Sequence, residues 1–295
     1  MIELSSGPLR LVLAPEVGGG IAAFELGELP LFRRTHADAL AAQDVRGFAS
    51  YPLIPFSNRI ADATLRWDGA SYSLPRYLPG HPHAIHGNAW QRPWNVIASE
   101  PSRATLELEH DAAGHRAGEW PFPYRARQDF LVARDAVTMS IALTNTGAQR
   151  FPCGLGWHPF FPRSPTTELC FAADAMWETD AWVLPTRLAA QAAQEFSRPR
   201  CLADVALDNC FAGWHPPALV RWPEHGIALA IDAEEPCRHL VVYVPSGADY
   251  FAVEPVSHMT NAFNRHDSGA PDTGTTVLAP GETFSCTMRV SVQHI

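Results

Sequence analysis

Two residues with complementary proton chemistry each stand immediately before a proline: His158 in Gly156-Trp157-His158-Pro159-Phe160-Phe161 and Glu254 in Val253-Glu254-Pro255. An imidazole with aromatic and glycine neighbours is either a satisfied core residue or a proton-transfer group in a dry pocket. A carboxylate ending an apolar strand is likewise open to a structural or a catalytic reading. Burial raises a carboxyl pKa and lowers that of imidazole, while proximity draws each back toward its charged form, so such a pair can be poised for acid and base work. Proline biases the preceding residue toward extended backbone and ends a ladder. Both side chains are therefore expected to project from strand ends, where geometry is held better than on loops.

Two further segments depart from core-and-turn logic. Arg59 follows the apolar, proline-framed run Pro52-Leu53-Ile54-Pro55-Phe56-Ser57-Asn58. Its five donors in a planar fork suit a ligand rich in oxygen acceptors, or a structural carboxylate. His81, His83 and His86 fall within six residues, and His81-Pro82-His83 resembles the start of a cupin metal motif. No Asp or Glu occurs between His81 and Glu100 to complete such a site. A metal-free role for His86, a metal site and surface histidines all stay open.

The elements that must hold these groups are strands. Val137, Met139, Ile141 and Leu143 alternate with Thr138, Ser140 and Ala142, and Phe284, Cys286, Met288, Val290 and Val292 alternate with Ser285, Thr287, Arg289 and Ser291. That period of two predicts half-buried strands. Shorter strands are expected at Leu9 to Leu13, Ala104 to Glu109, Tyr124 to Val132, Ile227 to Ile231, His239 to Val244 and Tyr250 to Glu254. The 26 prolines disfavour long helices, and only Thr35 to Gln43 and Leu188 to Phe196 read as helical. With no internal repeat and no linker, residues 1–295 are expected to form a single all-β domain, one large antiparallel β-sandwich.

Composition limits the function. Hydrophobic residues make up 46% and charged residues 18%, as in a compact globular chain. A net charge of -9 argues against nucleic acid as a partner. Lysine is absent, which removes Schiff-base lysine chemistry. No secretion signal is read at the N-terminus and no apolar run is long enough to span a membrane, so a cytoplasmic protein is expected. The six cysteines lack a C-x-x-C pair and read as buried free thiols.

Taken together, Asn58-Arg59-Ile60, His86-Gly87 followed by Trp90, Gly156-Trp157-His158-Pro159-Phe160-Phe161, Leu207-Asp208-Asn209-Cys210-Phe211 and Val253-Glu254-Pro255 resemble the aldose 1-epimerase (galactose mutarotase-like) family. The resemblance implies a large β-sandwich that binds a small-molecule aldose on a concave face with no metal or organic cofactor. It implies that His158 is the general acid at the ring oxygen and Glu254 the base at the anomeric hydroxyl. It further implies that His86 hydrogen-bonds near the ring oxygen, while Arg59 and Asp208 hold other hydroxyls. Trp157, Phe160 or Trp90 could pack on the apolar face of a sugar. A non-catalytic sugar-binding module and a hexose 6-phosphate mutarotase, the latter suggested by Arg46, Arg59 and Arg76, are the alternatives.

Overall fold

The alternation written in the sequence reappears as alternating burial. Along Ala136–Asn145 the side chains of Val137, Met139, Ile141, Leu143 and Asn145 are buried while Thr138, Ser140, Ala142 and Thr144 are partly exposed. Each fully buried aliphatic chain of this kind contributes about 1.5–3 kcal/mol, enough to fix which face of the strand turns inward. The computed structural model describes residues 1–295 apart from the side chain of His115.

One antiparallel sheet runs through the molecule. Its strands lie side by side in the order Asn95–Glu100, Arg103–His110, Tyr124–Val132, Ala136–Asn145, Thr283–His294, Ile227–Ala233, Leu207–Trp222, His239–Val244, Tyr250–Val256, Gly156–Trp157 and Pro52–Leu53. A second sheet of four strands covers Ile2–Ser6, Leu9–Ala14, Gly20–Leu26 and Leu29–Pro30. It is tied to the large sheet by Ser5 N–H donating to the Pro101 carbonyl at 2.8 Å and by the Gln128 amide donating to the Gly19 carbonyl at 3.1 Å. A continuous apolar core, rich in Trp90, Trp120, Phe24, Phe151 and Phe161, lies between the layers. The fold is all-β, a large antiparallel sandwich with short helices.

The sixteen-residue strand Leu207–Trp222 is the branch point. Its second half pairs with Ile227–Ala233 and its first half with His239–Val244, while Glu168–Thr179 follows its other edge. This division carries residue 208 away from the Ile227–Ala233 side and onto the concave region beside Tyr250–Val256.

Three details differ from the sequence expectation. The helices shrink to Ala37–Ala42 and to Ala190–Ala193 with a 3-10 turn at Gln194–Phe196. An unexpected helix, Ala262–Asp267, is held by side-chain amides: Asn264 accepts from Arg66 N–H at 2.7 Å and donates to the Thr64 carbonyl at 2.9 Å. The reading of all six cysteines as free thiols is corrected, because Cys237 and Cys286 form a disulfide. The Glu234 N–H donates to the Thr287 carbonyl, which brings the turn containing Cys237 beside Cys286. Cys153 and Cys210 are buried thiols as expected, Cys170 is partly buried and Cys201 is exposed. Among the described residues no helix is long and apolar enough to cross a membrane.

Candidate active site

Sheet register assembles the floor of the site. Glu254 lies opposite Val241, Ala252 opposite both Tyr243 and Phe160, and Tyr243 opposite Asp208. Because side chains alternate across a strand, Asp208, Tyr243, Val241, Phe160, Tyr250 and Glu254 all face one way. They line a cavity of about 280 Å³ together with His86, Arg59 and His158, near the lower end of the ~300–1,000 Å³ typical of small-molecule sites.

A loop wall closes over that floor. Asn58 N–H donates to His86 Nδ1 at 3.0 Å, so the neutral His86 ring carries its proton on Nε2 and offers a donor to the cavity. Burial, aided by the charges of His158 and Arg59, holds His86 well below the ordinary histidine range. His86 is therefore a neutral hydrogen-bond donor. The wall needs Gly87, at a φ of 71°, because a Cβ there would meet the Ile54 carbonyl oxygen at 2.1 Å. Asn58 and His86 also adopt left-handed backbone, at φ of 56° and 61°, a cost of about 1–3 kcal/mol each that the surrounding hydrogen bonds sustain.

His158 and Glu254 meet in this cavity. His158 Nε2 is 3.2 Å from Glu254 Oε1, and their side chains are 8% and 2% exposed. The His158 N–H donates to the Tyr51 carbonyl at 3.0 Å, and its ring packs against Tyr51 and Phe160 at centroid distances of 4.8 and 4.4 Å. Burial, reinforced by the Arg33 charge, pulls His158 down to about 3. Burial also pushes Glu254 well above the carboxylate range, with the Asp208 charge adding to the rise and Arg59 opposing it. These opposed shifts favour a net-neutral pair that holds one proton, on Glu254. His158 Nδ1 and Glu254 Oε2 are buried without a protein partner.

Arg59 and Asp208 form the second pair, Nη2 to Oδ2 at 3.1 Å, with Arg59 Nη1 also donating to Asn58 Oδ1 at 3.0 Å. Asn261 anchors this corner, since its N–H donates to the Arg59 carbonyl at 2.8 Å and its Oδ1 accepts from Ala61 N–H at 3.1 Å. The pair leaves guanidinium and carboxylate edges toward the cavity, a donor and acceptor set suited to vicinal hydroxyls. Five of the six residues selected from sequence, His158, Glu254, Arg59, His86 and Asp208, come together here.

Trp157 does not join them. It is 1% exposed and absent from the cavity wall. Gly156–Trp157 is a strand paired with Pro52–Leu53, and in extended backbone the side chain before His158 must point to the opposite face. Phe160 and Trp90 supply the aromatic wall instead. The three neighbouring histidines also diverge: His83 Nδ1 accepts from Asp62 N–H at 2.9 Å while His86 Nδ1 serves Asn58. Among the described residues no group of three His, Cys, Asp or Glu side chains is arranged to hold a metal ion. Sequence reasoning missed Tyr243 and Tyr250, which only strand register marks, and Arg33 and Tyr51, which reach the cavity from outside the strands.

Residues 1–291 match the family model described as aldose 1-epimerase. An uncharacterized Escherichia coli K12 protein, YphB, is 31% identical over 302 residues, covering 99% of this chain and 98% of the relative. A solved Escherichia coli K12 structure superposes with a TM-score of 0.87 at 29% identity, covering 100% of this chain and 99% of that one. A galactose mutarotase-like protein from Clostridium acetobutylicum has the same fold, with a TM-score of 0.87 at 16% identity over 99% and 95% of the two chains. The chain belongs to the aldose 1-epimerase family.

Proposed function

We propose that the protein is a mutarotase that interconverts the α and β anomers of an aldose. The observation that carries this reading is the buried His158–Glu254 pair, with 3.2 Å between Nε2 and Oε1, in a cavity with neutral and charged hydrogen-bonding groups around it. Hemiacetal opening requires one proton to reach the ring oxygen while another leaves the anomeric hydroxyl. His158 in its protonated form supplies the first, and Glu254 in its ionised form accepts the second. The C1 to O5 bond breaks to an aldehyde, rotation about C1 to C2 exposes the other face, and the reverse transfers close the ring.

The proton count explains why the pair suits the task. Burial leaves the one proton on Glu254 in the free pair; opening requires it to cross to His158, giving imidazolium and carboxylate, and afterwards the pair again holds one proton as imidazole and carboxylic acid. Burial of both groups favours this total of one, and closing the ring restores imidazolium and carboxylate without help from solvent. His86 Nε2–H donates to the sugar near the ring oxygen, and the Arg59–Asp208 pair holds hydroxyls farther round the ring. Phe160 and Trp90 contribute ring edges to the wall around its C–H groups, their faces being covered by Arg33, His158 and Tyr51.

The direct test is polarimetry of freshly dissolved α-glucose, α-galactose and α-xylose. The protein should speed the optical-rotation change of at least one in proportion to its concentration. Calorimetric binding of these sugars without acceleration would replace the enzyme reading with that of a non-catalytic sugar-binding protein.

A further inference from the structure

Arg33 differs from the other arginines in the cavity wall. Arg59 is paired with Asp208, and Arg46 Nη2 lies 2.7 Å from Asp44 Oδ2, but among the described residues no carboxylate is within ion-pair distance of Arg33. Its guanidinium carbon sits 3.9 Å from the centre of the Phe160 ring and 4.5 Å from that of Tyr250. Nη2 donates to the Arg46 and Phe48 carbonyls at 2.8 and 2.6 Å, and the buried Nε has no acceptor. An arginine stays protonated at any working pH. This end of the cavity therefore carries a positive charge held by two rings and two carbonyls, with the Asp249 carboxylate acting on it only from beyond ion-pair distance.

Its location relative to the acid–base pair selects the part of a sugar that meets it. Two steps, of 3.9 Å to the Phe160 ring and 4.4 Å from there to the imidazole, lead from Arg33 to His158. Tyr250 precedes Glu254 by four residues on the same strand face, about 13 Å at the usual rise per residue. Glu254, His158, Phe160 and Arg33 thus follow one another across the cavity. A pyranose ring oxygen is bonded to C1 and C5. With Glu254 at the C1 hydroxyl and His158 at the ring oxygen, the substituent on C5 extends toward Phe160 and Arg33.

Building on the reading of His158 and Glu254 as acid and base, we propose that Arg33 is a specificity residue that binds a singly charged acidic group at C6, making hexuronates better substrates than neutral hexoses. The charge balance favours a monoanion: one arginine is unpaired, and Arg46 is already matched by Asp44. A carboxylate would accept a charge-assisted hydrogen bond from the guanidinium and supply the missing counter-charge. A neutral C6 hydroxyl would bring this partly buried cation no counter-charge at contact distance, and a phosphate dianion would exceed its single positive charge.

The test compares mutarotation of galacturonate and glucuronate with that of galactose and glucose, with glucose 6-phosphate as a dianion probe, at constant ionic strength. For the wild type, kcat/KM for a uronate should exceed that of its neutral counterpart by about 10-fold or more, the scale of one hydrogen bond to a charged group. Arg33→Gln should bring that ratio close to one, and Arg33→Lys should keep part of it. Reading a ratio within each variant cancels any general loss from altered packing, and the wild-type ratio stands even if a variant folds poorly. A wild-type ratio of one or less, a ratio unchanged in Arg33→Gln, or glucose 6-phosphate outperforming both uronates would overturn the proposal. Failure of the underlying mutarotase reading has a different signature, no acceleration with any sugar, neutral ones included, and that result removes the proposal as well.

Discussion

His158 Nε2 and Glu254 Oε1 face each other across 3.2 Å, each buried and each with its second heteroatom free of a protein partner. A structural ion pair would be expected to satisfy its remaining donors and acceptors, because an unpaired buried polar atom costs about 1–3 kcal/mol. Retaining a buried ionisable pair at that cost is sensible where its facing atoms, His158 Nε2 and Glu254 Oε1, act on a substrate in the cavity they line. His158→Ala and Glu254→Gln should each lower kcat by about 10²–10⁴-fold, the usual contribution of a positioned acid or base. The double variant should be little worse than either single one, since the two act as a unit. Polarimetric rates on variants with wild-type circular dichroism check this, and full activity in either single variant would show that the acid–base assignment is wrong.

The same pair sets the pH response. The active form contains one proton, so activity is lost when a second proton binds at low pH or when the last one leaves at high pH. Burial places the first event, at His158, at about 3 and moves the second, at Glu254, well above the usual carboxylate value. The kcat/KM profile should therefore be bell-shaped, with a plateau that extends below pH 5. Brief assays after pH jumps, which separate ionisation from unfolding, should find no loss between pH 7 and 5. An acid limb near the ordinary histidine value of 6.5 would contradict the protonation scheme.

His86 should behave differently although it is also a buried histidine. It stays neutral and presents a donor because Nδ1 accepts from Asn58 N–H at 3.0 Å. Its replacement removes a hydrogen bond without removing a proton carrier. His86→Ala should reduce kcat/KM by about 10–100-fold, as expected for losing one to two hydrogen bonds of roughly 1.5 kcal/mol. Both limbs of the pH profile should keep their positions. A shifted acid limb in this variant would make His86 part of the proton-transfer machinery.

The contrast between His158 and Trp157 explains what the sequence could reveal. The run Trp157-His158-Pro159 identified a proton-transfer candidate by chemical type, but residue type alone could not say which neighbour faced the cavity. That depends on the pairing of Gly156–Trp157 with Pro52–Leu53, a long-range register. Strand bounds were legible for the same reason that Trp157 was misplaced: the signals are local, and Tyr124–Val132 occurs where alternation and His239–Val244 where a short apolar run predicts it. Arg33 carried no local signal because its significance comes from Phe160 and Tyr250, which reach it from distant strands. The Cys237–Cys286 bond was hidden likewise, since it joins a turn to the last strand.

Away from the cavity, His239 and His258 should make the fold acid-labile. His258 Nε2 accepts from Ser57 N–H at 3.0 Å while Nδ1 donates to the Met259 carbonyl at 2.7 Å, so a second ring proton would face a donor. Burial holds both histidines down at about 4, against an unfolded value of 6.5. Because the unfolded chain binds these protons first, the associated stability is complete above pH 6.5 and is lost as the pH falls toward 4. The full difference amounts to about 3 kcal/mol for each residue. Urea unfolding at pH 7, 6, 5 and 4.5 should give a falling free energy with the steepest slope below pH 6. His239→Gln should flatten that slope even if its stability at pH 7 is lower, because it removes one of the groups that titrates. A wild-type free energy constant from pH 7 to 4.5 would mean that the buried imidazoles do not control acid unfolding.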